Sequence, residues 1–159
     1  MKKKIYKKYK LEELFDISTT KSINKNNIDF CKDGDYEFIG RTAVNNGVQG
    51  YVKKLAYEPN PGMTFSVVQV GETCCLFREK EWYASQNIFI LKPKIKEIPS
   101  VALIVSSCID KALSKYKKDA YIYPSLRDLK SLIILLPSIT PPGDQIGPCF
   151  QKCCLEVLI

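Results

Sequence analysis

The sequence predicts an α/β (α+β) fold: a single domain with a mixed, twisted β-sheet core and a few helices. Three observations predict it. Short apolar runs rich in β-branched and aromatic residues recur between Gly, Pro and Asn punctuation. One stretch, residues 101–116, instead carries an apolar stripe at helical spacing. And 159 residues, 45% of them hydrophobic, suffice for one buried core.

Residues 1–10 hold six lysines and read as a solvated basic arm or a strand-leading segment. Leu11, Leu14 and Phe15 recur at i, i+3 and i+4, which predicts one or two helical turns. Residues 18–35 are a polar loop. Tyr36–Ile39 is a short strand, and 40–50 a glycine-punctuated loop before an extended Tyr51-Val52. After the Asn60-Pro61-Gly62 turn come strands over 65–70 and 74–77, split by a Gly71-Glu72 turn. Tyr83 and Asn87–Leu91 continue the β-rich stretch.

Pro99 opens the principal helix. Val101, Ile104, Val105, Cys108, Ile109, Ala112, Leu113 and Tyr116 share one face of it. Lys115, Lys117 and Lys118 crowd its C-terminal end, where positive charge suits the helix dipole. Leu132–Leu136 is a last, wholly apolar strand that stops at Pro137. These elements place a domain over 1–137. Residues 138–159 form an irregular tail broken by Pro141, Pro142, Gly143, Gly147 and Pro148.

Twenty-four Lys and Arg against seventeen Asp and Glu give a net charge of +7. Such a balance favours a polyanionic partner. The seven cysteines are odd in number, twice adjacent and follow no secretory signal, which argues for reduced thiols in the cytoplasm. No run is long and apolar enough for a membrane span.

There is no histidine, so imidazole bases and His-ligated zinc drop out. Asp33, Asp35 and Glu37 alternate, and Lys80 follows Glu79, but no Pro-Asp precedes a Glu-x-Lys. Asn60-Pro61 lacks the second proline and aromatic of a methyltransferase loop, and no phosphate-binding glycine loop is present. Cys149, Cys153 and Cys154 lack a fourth ligand at zinc spacing. No catalytic residue, metal or cofactor is expected.

The 40–54 segment collects Arg41, Thr42, Asn45, Asn46, Gln49, Lys53 and Lys54 among small residues. Arg bonds guanine O6 and N7 together, and Asn or Gln bonds adenine N6 and N7. An ordinary polar hairpin loop would have similar composition. Gln86 and Asn87 form a second candidate group for base contacts. Lys21, Lys25, Lys53, Lys54, Arg78, Lys80, Lys117, Lys118 and Tyr123 suit phosphate and sugar contacts.

The order of six segments resembles the target-recognition domain of type I, or BcgI-like, restriction-modification specificity subunits. They are Tyr9-Lys-Leu-Glu-Glu-Leu-Phe-Asp-Ile17, Tyr36-Glu-Phe-Ile-Gly-Arg-Thr42, Asn45-Asn-Gly-Val-Gln-Gly-Tyr-Val52, Phe65-Ser-Val-Val-Gln-Val-Gly71, Ala84-Ser-Gln-Asn-Ile-Phe-Ile-Leu-Lys-Pro93 and Leu129-Lys-Ser-Leu-Ile-Ile-Leu-Leu-Pro137. The resemblance implies sequence-specific binding of double-stranded DNA and no catalysis of its own. It implies methyltransferase and restriction subunits as partners, and a second specificity domain in a dimer. Pro141-Pro-Gly-Asp-Gln-Ile146 resembles the start of the family's long helix. Gly147-Pro148 then departs from it, as a truncated or frameshifted end would, since proline inside a helix costs about 3 kcal/mol. The alternatives are a recognition fragment of a fused restriction-methylation enzyme with its own nuclease activity, or a truncated non-functional product.

Overall fold

Strand β5 (Thr64–Val68) is buried along its whole length and sits inside a four-stranded antiparallel sheet of order β2-β8-β5-β6. Its partners are β2 (Phe15–Thr19), β8 (Ile88–Pro93) and β6 (Cys75–Arg78). The structure, a computed structural model, describes residues 5–96, 98–117 and 122–138. Because successive strand side chains point to opposite faces, this sheet feeds two cores. Phe65, Val67, Phe89 and Leu91 join the main core with the helices. Ile88 and Ile90 face the other way, onto Ile39, Trp82 and Ala84.

The helical side is dominated by α2 (Ala102–Lys117), introduced by a 3-10 turn over Ile98–Val101. Val105, Ile109 and Leu113 recur every four residues and are fully buried. Asp110 Oδ1 accepts a hydrogen bond from the Cys75 amide at 2.8 Å, which ties α2 to edge strand β6. The expected turn of helix is α1 (Leu11–Leu14); Phe15 already belongs to β2. The Glu13 carboxylate accepts from the Lys10 amide at its start.

The lysine-rich leader becomes strand β1 (Ile5–Lys10), paired antiparallel with β9 (Ile133–Ser138). The last strand therefore continues through Pro137, which lies opposite Tyr6. It alternates: Ile134 and Leu136 are buried, while Ile133 and Leu135 are about half exposed. Helix α3 (Leu126–Ser131) was not expected. Its signal is a capping box, in which Ser125 Oγ accepts from the Asp128 amide and Asp128 Oδ2 accepts from the Ser125 amide.

The third sheet, of order β4-β3-β7, comprises β3 (Tyr36–Ile39), β4 (Val48–Val52) and β7 (Trp82–Ala84). Strands β3 and β4 are antiparallel, whereas β3 and β7 are parallel. One face packs on the four-stranded sheet. The other holds Phe38, Val52 and Tyr83 against Ile23, Ile28 and Tyr57. The resulting α/β architecture, with several sheets and few helices, matches the fold class expected. Cys31, Cys74, Cys75 and Cys108 form no disulfide among the described residues. Cys149, Cys153, Cys154 and the tail expected over 138–159 lie outside the described residues, except Ser138, which belongs to β9.

Candidate nucleic-acid interface

The parallel pairing of β3 with β7 determines where the loops go. Ile39 and Ala84 are register partners at the carboxyl ends of the two strands. The chain leaves both at the same edge, and the Ser85 amide donates to Ile39 O at 2.8 Å. The segment after β2 joins them: Ser22 bridges Ala84, and the Ile23 amide donates to Ala84 O. Three segments far apart in sequence thus meet in space.

Together they form an open cleft of about 420 Å³, lined by Asn24, Lys25, Arg41, Gln49, Ser85 and Gln86, with Gly71 at its wall. Among the described residues, no ion pair or side-chain hydrogen bond engages Lys25, Arg41, Gln49 or Gln86. Among the described residues, no carboxylate lines the cleft and two cations, Lys25 and Arg41, do. Three of the seven side chains expected to contact bases therefore converge, with one of the lysines expected at phosphate. Gln49 lies across Gly40, where any Cβ would collide with its side chain.

The remaining candidates in the 40–50 loop shape it. Glu72 Oε2 accepts from the Ala43 amide at 2.9 Å and from Thr42 Oγ1 at 3.2 Å. Thr42 Oγ1 in turn accepts from the Val44 amide, and Asn45 Nδ2 donates to Val48 O. Asn45, Asn46 and Gly47 are consecutive left-handed residues, with φ of 51°, 53° and 76°. Asn tolerates that region better than other non-glycine residues. Gly47 also has no room for a side chain, because a Cβ would stand 2.9 Å from Arg78 Nη2. The Asn46 side chain is exposed outside the cleft. Asn87 is exposed too, at φ 63°, and its carbonyl accepts from the Gln69 amide.

Arg78 requires a correction. It was expected at a phosphate, but it is 2% exposed and its guanidinium is enclosed by the protein, with Nη2 unpaired among the described residues. Nη1 donates to Asn46 O at 2.6 Å and Nε donates to Ser66 Oγ at 3.0 Å. Glu37 lies 4.0 Å away and the Trp82 ring faces the group at 6.0 Å. Burial pushes its pKa down to about 10, with Glu37 opposing. Arg78 therefore remains charged at neutral pH and supports the loop from beneath.

The lysines are dispersed. Lys21 and Lys80 are exposed. Lys53 pairs with Asp33 and Lys54 with Glu58, each at 3.0 Å, and both line a separate, more apolar cleft. Those partners raise both lysine pKa values, chiefly through their hydrogen bonds. Lys117 ends α2, Tyr123 is exposed between α2 and α3, and Lys118 lies outside the described residues. Lys21, Lys53, Lys54, Lys80 and Tyr123 do not line the cleft.

The sequence matches the model of the type I restriction modification DNA specificity domain over residues 3–151. The chain belongs to this family. No curated protein matches it. Solved structures resemble the specificity domain at fold level. The S subunit of a type I restriction-modification system from M. genitalium superposes with a TM-score of 0.63 at 16% identity, over 83% of this chain and 34% of that one. The HsdS subunit from Thermoanaerobacter tengcongensis gives 0.58 at 15%, over 84% and 34%. A chain from a structure describing assembly and conformational transition of the type I system gives 0.61 at 15%, over 83% and 34%. The specificity domain thus spans about a third of the length of each of these chains.

The match runs on past residue 137 into residues outside those described. Among the described residues, no group of three or more Cys, Asp or Glu is placed to hold a metal ion, and no helix is long and apolar enough to cross a membrane. Asn24 and Ser85 are cleft residues that residue type alone did not single out. Ser85 was legible only as the neighbour of Gln86.

Proposed function

We propose that this specificity domain reads one part of a double-stranded DNA target in the cytoplasm. On this reading it performs no catalysis and directs methyltransferase and restriction subunits of a type I system, together with a second specificity domain. The observation that carries the reading is the convergence of Arg41, Gln49 and Gln86 in one cleft that no carboxylate lines among the described residues. Side chains of these types supply base-edge contacts, while dispersed lysines supply position without sequence information.

The test is selection from random duplexes, followed by fluorescence anisotropy across salt concentrations. A short preferred motif is expected. With roughly 6 phosphate contacts, log affinity should fall with log salt at a slope near −5. Replacing Lys21 and Lys80 together by Ala should flatten that slope by about 2 and weaken all sequences alike. A flat salt response with no enriched motif would remove the DNA reading.

A further inference from the structure

Ser85 is a polar residue buried in a place where it has nothing to bond. It is 8% exposed, and its Oγ lacks a partner among the described residues. Its amide is already used, donating to Ile39 O at the end of β3. A buried hydroxyl left unpaired is unfavourable, so such groups ordinarily find a donor or acceptor. Unlike Ser106 on α2, whose hydroxyl is also unpaired, Ser85 belongs to the lining of the cleft, beside Arg41 and Gln86, with its Oγ just beneath the surface.

The lining has a directional chemistry. Arg41 and Lys25 only donate. Gln49, Gln86 and Asn24 each donate and accept, and Ser85 does both. With no carboxylate in the lining, donors outnumber acceptors. In the major groove, guanine presents two adjacent acceptors, O6 and N7, whereas adenine and cytosine each present an amino donor. A donor-rich site with a planar guanidinium fits the guanine edge. Cytosine N4 would instead call for a carboxylate acceptor.

We propose that the cleft reads a guanine, with Arg41 on O6 and N7 and Ser85 as a further specificity-determining residue beside it. This rests on the DNA-reading function proposed above. Phosphate oxygens are also acceptors, so the same donors have a second possible occupant in DNA, and the two differ in sequence dependence.

The experiment uses the full chain and the duplex motif that it selects. The motif should contain a G·C pair whose replacement by A·T weakens wild-type binding roughly tenfold or more. 7-Deazaguanine at that position, which lacks the N7 acceptor, should weaken the wild type but have little further effect on Arg41→Ala. Ser85→Ala should reduce the G·C preference by roughly threefold or more, leave binding to unrelated duplexes unchanged, and leave the thermal midpoint equal or higher. That last result separates a reading role from a structural one, since the substitution removes only an unpaired hydroxyl.

Three results would overturn the assignment. One is a selected motif in which no guanine responds to Arg41→Ala. Another is Ser85→Ala with unchanged preference. The third is a uniform loss for all duplexes with a flatter salt slope, which would place a phosphate in the cleft. Absence of any salt-sensitive binding or motif in the wild type would instead remove the underlying DNA reading.

Discussion

The Arg78 guanidinium donates to the main-chain carbonyl of Asn46 at 2.6 Å, so a buried cation in β6 holds the loop that carries the candidate reading residues. Hydrogen bonds from charged donors are about twice as strong as neutral ones. The loop they hold contains three successive left-handed residues, each a conformation with few alternatives once fixed.

Arg78→Met keeps most of the side-chain volume and removes every donor. The expected loss of stability is about 1–3 kcal/mol, because Asn46 O and Ser66 Oγ lose the donor that Arg78 supplies, Ser66 Oγ keeping its bond to Leu76 O. Sequence preference should fall as the loop relaxes. The salt slope should not change, because Arg78 touches no phosphate in this arrangement. Denaturant unfolding and a salt series of anisotropy titrations would check both, and a flatter slope would return Arg78 to the phosphate contacts.

Gly40→Ala tests the loop from the other side. The new Cβ meets the Gln49 side chain, the far end of a flexible exposed residue rather than backbone. The fold should survive with a cost of about 1 kcal/mol or less. Gln49 must leave its place, so on the proposed reading sequence preference should fall by about as much as in Gln49→Ala. Combining the two substitutions should add little to either alone, as a double-mutant cycle would measure.

The Ser125–Asp128 box predicts a pH signature. Hydrogen bonds from the Ser125 hydroxyl and amide hold the Asp128 carboxyl below its ordinary range. A carboxylate depressed in the folded state stabilises above its unfolded pKa, and that contribution is lost as pH falls through the folded value. Ser125→Ala should therefore cost about 1 kcal/mol at neutral pH, and the gap from wild type should narrow below about pH 4. Thermal midpoints of both proteins across that range would show it; a constant gap would mean the carboxylate contributes nothing.

Much of the fold was legible because strands announce themselves by short apolar runs between turn residues. Tyr36–Ile39 emerged with the bounds the pattern gave. Leu126–Ser131 was missed because six residues are too few for a periodicity, although Ser125 and Asp128 stood at capping-box spacing. Arg78 was misplaced because the charged run Glu79-Lys80-Glu81 beside it looks like one solvated surface, and an arginine buried in a strand is rare. Arg41 and Gln86 were both legible as candidates by residue type. Their meeting was not, because it depends on the parallel pairing of Ile39 with Ala84 across more than forty residues.

The pairing of Ile5 with Ser138 brings the first and last described residues to within one strand spacing of each other. A segment whose two ends leave side by side can be spliced into a longer polypeptide, or lifted out of it, without rerouting the chain around it. Of the cleft residues, Asn24 and Lys25 follow β2, Arg41 follows β3, Gln49 lies in β4, Gly71 follows β5, and Ser85 and Gln86 follow β7; none belongs to β1 or β9. On the proposed reading, the β1–β9 pair that joins these two ends is separate from the cleft residues, so the loops that would meet DNA could change without altering where the described segment enters and leaves.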